Sequence, residues 1–242
     1  MENIPFSSNY QDMPLFERMK RVFYAPSTTF EAVRGNPGFH DWFLPTAALI
    51  IIWVGTNWLT LDITTNPNSP AFEEQVSELT PEQRRQVIDW MDMNRDHGWM
   101  SMPMVAGFAY LVIIGLGLLA ISKWVFRSSD VTLRDMLVVK AYASLVLAAE
   151  LCVKALLILL YNSPQVLLSP GAILSPEMQE TLIGRILVGA NLFDLWQACV
   201  MGVGISVMIG MPHRRGITAI AGLWSMLVIF GAILAGHPAL QR

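Results

Sequence analysis

Charge is scarce in this chain, and the scarcity limits where the protein can reside. Only 14% of the 242 residues are charged, whereas 53% are hydrophobic. An ordinary soluble domain carries about 25% charged residues, because its surface must stay hydrated. A chain this poor in polar groups cannot cover a water-exposed surface of its size. The composition argues against a cytosolic enzyme and indicates a protein that is partly solvated by lipid.

Cysteine, excess basic charge and histidine are also missing where particular functions would need them. Cys152 and Cys199 lie within apolar runs, so the sequence predicts neither a disulfide framework nor a zinc site. The 16 basic residues are outnumbered by 19 acidic ones, which excludes a nucleic-acid-binding domain. The four histidines lie at the edges of the apolar runs or between them, so we expect no haem, other cofactor or metal.

Long hydrophobic runs are the main feature that the chain does have. A helix that crosses a bilayer needs about 20 apolar residues, and five runs reach that length. The sequence therefore predicts an all-α membrane protein with five transmembrane helices. The predicted spans are 42–61, 101–125, 135–161, 186–211 and 217–236.

Basic residues are unevenly distributed between the two sides of these spans. The nine on the side of the amino terminus are Arg18, Lys20, Arg21, Arg34, Lys123, Arg127, Arg134, Arg214 and Arg215. The five on the other side are Arg84, Arg85, Arg95, Arg185 and Arg242. Because Lys and Arg are enriched in cytoplasmic segments, we expect the amino terminus inside and the carboxyl terminus outside.

Three segments are expected outside the bilayer. Residues 1–41 form a cytoplasmic segment that contains an amphipathic helix, because apolar residues recur at helical spacing from Leu15 to Phe23. This helix could lie flat on the inner leaflet or pack on the inner face of the bundle. Residues 62–100 form an acidic outer insertion of one or two helices, which begin at Ser69-Pro70 and Thr80-Pro81. Residues 237–242 form a short outer tail.

Three ionisable side chains lie deep in the third and fourth predicted spans. Glu150 and Lys154 are four residues apart and share one helix face. At 1.5 Å per residue, Lys154 and Asp194 lie roughly 10 and 12 Å from the outer ends of their spans. Charges at such depth are costly and usually pair, so we predict one buried network of Glu150, Lys154 and Asp194. Lys140 lies near the inner end, where its amine could snorkel to the surface.

Small residues recur four positions apart in the last two predicted spans. Gly202, Ser206 and Gly210 form such a row, and Gly231 and Ala235 form another. Rows of small residues let helices approach closely. We expect them to serve helix packing, either within the bundle or against a helix of a partner.

Two segments resemble the Yip domain family, the Ypt/Rab-interacting membrane proteins. The first reads RMKRVFYAPSTTFEAVRGNPGFHDWFLPTAALIII, with the spacing Pro26-x-x-x-Phe30 followed by Pro45 near the start of a span. The second contains Trp196 and reads NLFDLWQACVMGVGISVMIGMPHRRGITAIAGLWSMLVI, which is similar to the family's closing pair of helices. The resemblance extends over residues 15–236.

The resemblance implies five spans and a cytoplasmic amino terminus. Eukaryotic members of the family have a fold similar to the one expected here. They bind small prenylated GTPases and each other at Golgi membranes. Their long amino-terminal tails are missing from this sequence, which therefore looks like a bacterial form in a cytoplasmic (inner) membrane. Some bacterial members accompany ABC-type exporters, and the family has no catalytic residues that could be carried over.

The sequence favours a protein without enzymatic activity. It contains no Gly-x-Ser-x-Gly nucleophile motif with plausible partners and no phosphate-cradling loop. We expect a subunit, scaffold or regulator of a larger membrane complex, with the lipid bilayer and other integral membrane proteins as partners. The alternative is a small ion- or proton-coupled transporter that uses Glu150, Lys154 and Asp194.

Overall fold

Five long helices dominate the computed structural model, which describes residues 13–64, 79–93, 102–164 and 166–235. Each of the five is long and apolar enough to cross a membrane. They are α3 (Phe39–Thr64), α5 (Met102–Trp124), α6 (Leu133–Tyr161), α9 (Leu192–Ile209) and α10 (His213–Ala235). The predicted fold class, an all-α membrane protein with five spans, is confirmed.

Short helices connect and flank the five spans. They are α1 (Leu15–Arg21), α2 (Pro26–Val33), α4 (Pro81–Met93), α7 (Pro176–Gln179), α8 (Leu182–Gly189) and a 3₁₀ helix at Pro170–Ile173. The expected helix start at Ser69-Pro70 and the outer tail 237–242 lie outside the described residues. We call the end of the bundle at Leu133 and Ile209 the inner end, and the end at Tyr161 and Leu192 the outer end.

Polar residues at two helix starts explain where α4 and α6 begin. The Thr132 hydroxyl accepts from the Asp135 amide, and the Asp135 carboxylate accepts from the Thr132 amide at 2.8 Å. Thr80 and Gln83 form the same reciprocal pair ahead of α4, at 2.9 and 3.3 Å. Each pair satisfies amide groups that have no partner within the helix, so both starts follow from local sequence.

Helix α6 is the centre of the bundle. Helices α3, α5 and α9 all pack against α6, and α3 has the most extensive contact with it. Helix α10 packs mainly against α9 and α8. Most of the large, fully buried side chains therefore come from α6 and α9, among them Met136, Tyr142 and Ile205.

The contact between α9 and α10 depends on small residues. A Cβ atom at Gly202 would lie 2.6 Å from the Ile217 Cα, and a Cβ at Gly216 would lie 2.2 Å from the Gly202 carbonyl oxygen. The buried Ser206 hydroxyl donates to that same carbonyl oxygen at 2.8 Å. Because no larger side chain fits, the two backbones meet directly at this level.

Gly210 and Gly231, expected to pack in the same way, behave differently. Gly210 ends α9 with a φ of +78°, a conformation that favours glycine, and a Cβ there would lie 2.8 Å from an Arg34 nitrogen. Gly231 is exposed, and a Cβ added to it would meet no described atom within 4 Å. Gly231 instead lines a surface groove together with Val188 and Gly189 of α8, and its role in helix packing stays a prediction.

The expected fourth span, 186–211, is divided in the structure. Helix α8 ends at Gly189, Ala190 leaves the helical conformation, and α9 begins at Leu192 with Asn191 as its cap. The Asn191 side-chain oxygen accepts from the Phe193 amide at 3.0 Å. Asparagine is among the strongest helix caps, so a new helix starts inside the apolar run.

The amino-terminal helices belong to the bundle. Helix α2 runs along α9: a Cβ at Gly204 would lie 2.9 Å from Phe30, and the Phe23 ring lies 5.8 Å from that of Trp196. Phe30 is fully buried and meets Tyr142 edge-on at 6.2 Å. Helix α1, which corresponds to the expected amphipathic helix, packs Leu15 and Met19 against the edge of the core but has no buried residue, so its contact with the inner leaflet stays a prediction.

Candidate functional site: polar groups inside the bundle

The Glu150 carboxylate is bound to the break between α8 and α9. Its Oε1 accepts a hydrogen bond from the Asn191 side-chain nitrogen at 2.5 Å. The oxygen of the same Asn191 amide caps α9. One side chain therefore joins the carboxylate on α6 to the start of α9, so Glu150 helps to position a helix end.

Lys154 is the most exposed of the three members of the predicted network. It is exposed and forms no ion pair with Glu150 or Asp194 among the described residues. Glu150 lies within electrostatic range of both Lys154 and Asp194. The network of Glu150, Lys154 and Asp194 therefore stays a prediction. The direct hydrogen bond of Glu150 is made to Asn191.

Lys140 is the most deeply buried charged side chain of the described residues. Only 1% of its surface is exposed, and its Nζ has no hydrogen-bond partner among them. The Nζ lies 4.6 Å from the centre of the Tyr110 ring on α5, a cation–π distance. Asp194 on α9 is within electrostatic range of Lys140. Lys140 therefore places an amine in the interior of the bundle, between α5 and α9.

The expectation that Lys140 snorkels was wrong. It assumed that the inner end of the third span borders water, so that a long side chain could reach the surface. In the structure, α5 and α9 both pack against α6, and the Lys140 side chain is enclosed between them. Its neighbours Val138, Val139 and Ala141 are also fully buried.

A second polar contact joins the amino-terminal segment to the first span. Arg18 on α1 and Asp41 on α3 form an ion pair at 2.5 Å, with side chains that are 18% and 10% exposed. The other Asp41 oxygen accepts from the Gly38 amide at 2.7 Å at the start of α3. The Tyr142 hydroxyl lies beside this pair without a hydrogen bond of normal geometry. The contact secures α1 on the bundle.

The four residues of the family motif lie at structural positions. Pro26 is the first residue of α2, where the absence of an amide hydrogen costs nothing. Pro45 is buried inside α3, and Phe30 fills the space between α6 and α9. Trp196 meets Phe23 edge-on. All four positions support the packing of the amino-terminal segment and the spans.

Sequence reasoning left Lys140 and Asn191 outside the predicted network, and it missed Tyr110 and the Arg18–Asp41 pair as parts of polar sites. The series Gly189-Ala190-Asn191 carried a usable signal, because a glycine followed by a strong cap predicts a helix end and a new start. The pairing of Arg18 with Asp41 had no local signal, since the two are 23 positions apart.

The arrangement offers charge and hydrogen bonds but no reactive constellation. The described residues contain no group of three or more His, Cys, Asp or Glu side chains that could hold a metal ion. Gln197 donates to the Ala143 carbonyl at 3.2 Å, which adds another polar link between α9 and α6. These groups can fix helix positions or hold a proton or ion.

Comparison with known proteins gives one family. The family model described as the Yip1 domain matches residues 20–235. No curated protein and no solved structure was found to match the chain.

Proposed function

We propose a function from the premise that the chain belongs to the Yip1 domain family, which also confirms the resemblance seen in the sequence. The protein is a non-enzymatic, multi-pass membrane protein that acts as a subunit, scaffold or regulator of a larger membrane complex. Its partners are other integral membrane proteins, among which an ABC-type exporter is one option. It resides in a bacterial inner membrane with its amino terminus inside and its carboxyl terminus outside.

The exposed face of α10 is the observation that carries this proposal. Only 11% of the apolar stretch of α10 is buried in the protein, compared with 56% for α9. Thr218, Gly222 and Ser225 share a face of α10 and are all exposed. A Cβ at Gly222 would meet nothing within 4 Å. Small residues on an outward face permit a close helix–helix contact, which supports a partner helix at this position.

Replacing Gly222 with leucine should weaken association with the partner and leave the fold intact. The new side chain would enter open space in this chain but would hold a partner helix away. We expect the Gly222→Leu protein, purified in mild detergent, to retain the wild-type melting temperature and to lose most of the co-purified partner in native mass measurement.

Met226→Leu is the matched control, because Met226 is also exposed on α10 and the change conserves volume. This control should retain the partner. The proposal is overturned if Gly222→Leu protein keeps its full assembly, or if wild-type protein is a monomer that supports solute flux alone.

Transport is a second candidate, and the divided fourth span is the observation that favours it. Discontinuous helices near intramembrane charges are typical of transporter sites, and here the break lies beside Glu150 with Lys140 and Asp194 in the same bundle. This candidate uses Glu150, Lys154 and Asp194, joined by Lys140, to couple a proton or another ion.

Liposome flux measurements separate the two candidates. If the protein transports, each of the variants Lys140→Met, Asp194→Asn and Glu150→Gln should abolish the proton-coupled uptake of solute into the liposomes. The melting temperature of each variant should be unchanged. The Lys140 amine has no hydrogen-bond partner among the described residues, and methionine has a similar volume and no polar group to bury, so Lys140→Met should fold. Uptake by Lys140→Met protein at the wild-type rate would eliminate Lys140 from any transport role.

A further inference from the structure

Two adjoining cavities lie between α3, α5 and α6 at the outer half of the bundle. The deeper one is an apolar slot of about 240 Å³, lined by Leu49, Ile50, Trp53, Ala106, Gly107, Tyr110, Leu147 and Leu151. The other is a polar groove of about 310 Å³. Trp53 and Leu151 line both cavities, so the slot and the groove adjoin.

Hydroxyl and amide groups along α3 give the polar groove its chemistry. The hydroxyls of Thr56, Thr60 and Thr64 each donate to a backbone carbonyl four residues earlier, at 2.8, 3.0 and 3.0 Å. Asn57 donates its side-chain nitrogen to the Trp53 carbonyl at 2.8 Å. Because their hydrogens are used within the helix, the threonine oxygens remain as acceptors. The threonine oxygens along this wall therefore favour a ligand that donates hydrogen bonds.

Lys154 is the cation that lines the groove. Its side chain is exposed and has no hydrogen-bond or ion-pair partner in the part of the chain that the structure describes. No carboxylate lines this cavity, and Glu150, one turn earlier, is bound to Asn191. The ammonium is therefore available to an anionic group such as a phosphate.

The order of the two cavities along the helices matches an amphipathic ligand. The groove extends to Thr64 and Pro164 at the outer end, and the slot lies deeper along the same helices. Lys154 is seven residues, roughly 10 Å, from the end of α6 at 1.5 Å per residue, and a lysine stem can carry its charge toward the surface. The polar part of a ligand would face outward and its apolar part inward.

We propose that this composite cavity binds a phospholipid of the outer leaflet. The Lys154 ammonium holds the phosphate, the threonine oxygens accept hydrogen bonds from the head group, and a part of one acyl chain occupies the slot. A head group with hydroxyl donors, such as that of phosphatidylglycerol, can bind both the Lys154 ammonium and the threonine oxygens. The head group of phosphatidylcholine has no hydrogen-bond donor.

Native mass spectrometry of protein from mixed micelles tests the proposal. We expect wild-type protein to retain phosphatidylglycerol in preference to phosphatidylcholine, and Lys154→Gln to reduce that retention about tenfold, the usual effect of one charge-assisted hydrogen bond. Lys123→Gln is the matched control, because Lys123 is exposed at the inner end of α5 and outside both cavities. It should retain the lipid.

A second variant tests the slot independently of charge. Ala106 is exposed at the wall of the slot, so Ala106→Trp should fill the slot and displace the acyl chain without unfolding the protein. Val112→Trp, at an exposed site of the same helix outside the slot, should not. Glycerophosphate alone should not displace the bound lipid. Equal retention of the two lipids by wild-type protein, or undiminished retention by both Lys154→Gln and Ala106→Trp, would overturn the proposal.

Discussion

Gly216→Val protein should lose its folded structure, because the contact between α9 and α10 leaves no room for a side chain. Even a Cβ atom at this position would lie 2.2 Å from both the Gly202 carbonyl oxygen and the Ser206 hydroxyl oxygen. The obstructing atoms are mainly backbone atoms, which cannot move without separating the helices. Overpacking in ordinary cores costs about 1–3 kcal/mol, and we expect this substitution to exceed that range.

The measurement is the yield of monodisperse protein in mild detergent, followed by its melting temperature. Gly222→Ala on the same helix is the control, because its Cβ would meet nothing within 4 Å. It should melt at or above the wild-type temperature, since alanine favours a helix over glycine by about 1 kcal/mol. A Gly216→Val protein with wild-type yield and melting temperature would show that α9 and α10 do not cross here.

Asp41→Ala should destabilise the protein by about 3–5 kcal/mol, the usual cost of leaving a buried charge without its partner. The substitution removes the ion pair with Arg18, which is 18% exposed, and the acceptor for the Gly38 amide. Two contacts at the start of α3 are lost together. Chemical denaturation in detergent measures the change, and proteolysis between α1 and α3 should accelerate.

Glu17→Gln is the control for charge removal in the same segment. Arg21 donates a hydrogen bond to Glu17 and holds the pKa of that carboxyl below its usual value. The carboxylate is therefore ionised at neutral pH, and any stabilisation from it is lost only as the pH falls through the lowered pKa. Because the Glu17 pair is accessible to solvent, its removal should leave unfolding unchanged. An Asp41→Ala protein as stable as Glu17→Gln would show that the Arg18–Asp41 pair contributes nothing.

The existence of the five spans could be predicted because it depends on local properties. Apolar length decides whether a helix can cross a bilayer, and a capping box such as Thr132–Asp135 decides where it begins. The same holds for α4 and its Thr80–Gln83 pair.

The surroundings of the polar groups could not be predicted, because they depend on which helices become neighbours. Lys140 looked like a residue near a span end, yet packing by α5 and α9 buries it. Lys154 looked deeper, yet it lies in an open groove beside α3. Gly216 lies next to a basic turn and gave no packing signal, although a Cβ added there would lie only 2.2 Å from the Ser206 hydroxyl oxygen.

The placement of α2 constrains the order of assembly during synthesis. Residues 26–33 leave the ribosome before any of the spans, but the surface that receives them is formed by α6 and α9, with Phe30 between Tyr142 and Gly204. Those helices are synthesised more than 100 residues later. The amino-terminal segment can therefore dock fully only after the fourth hydrophobic segment has been inserted. Docking of α2 thus follows insertion of α9.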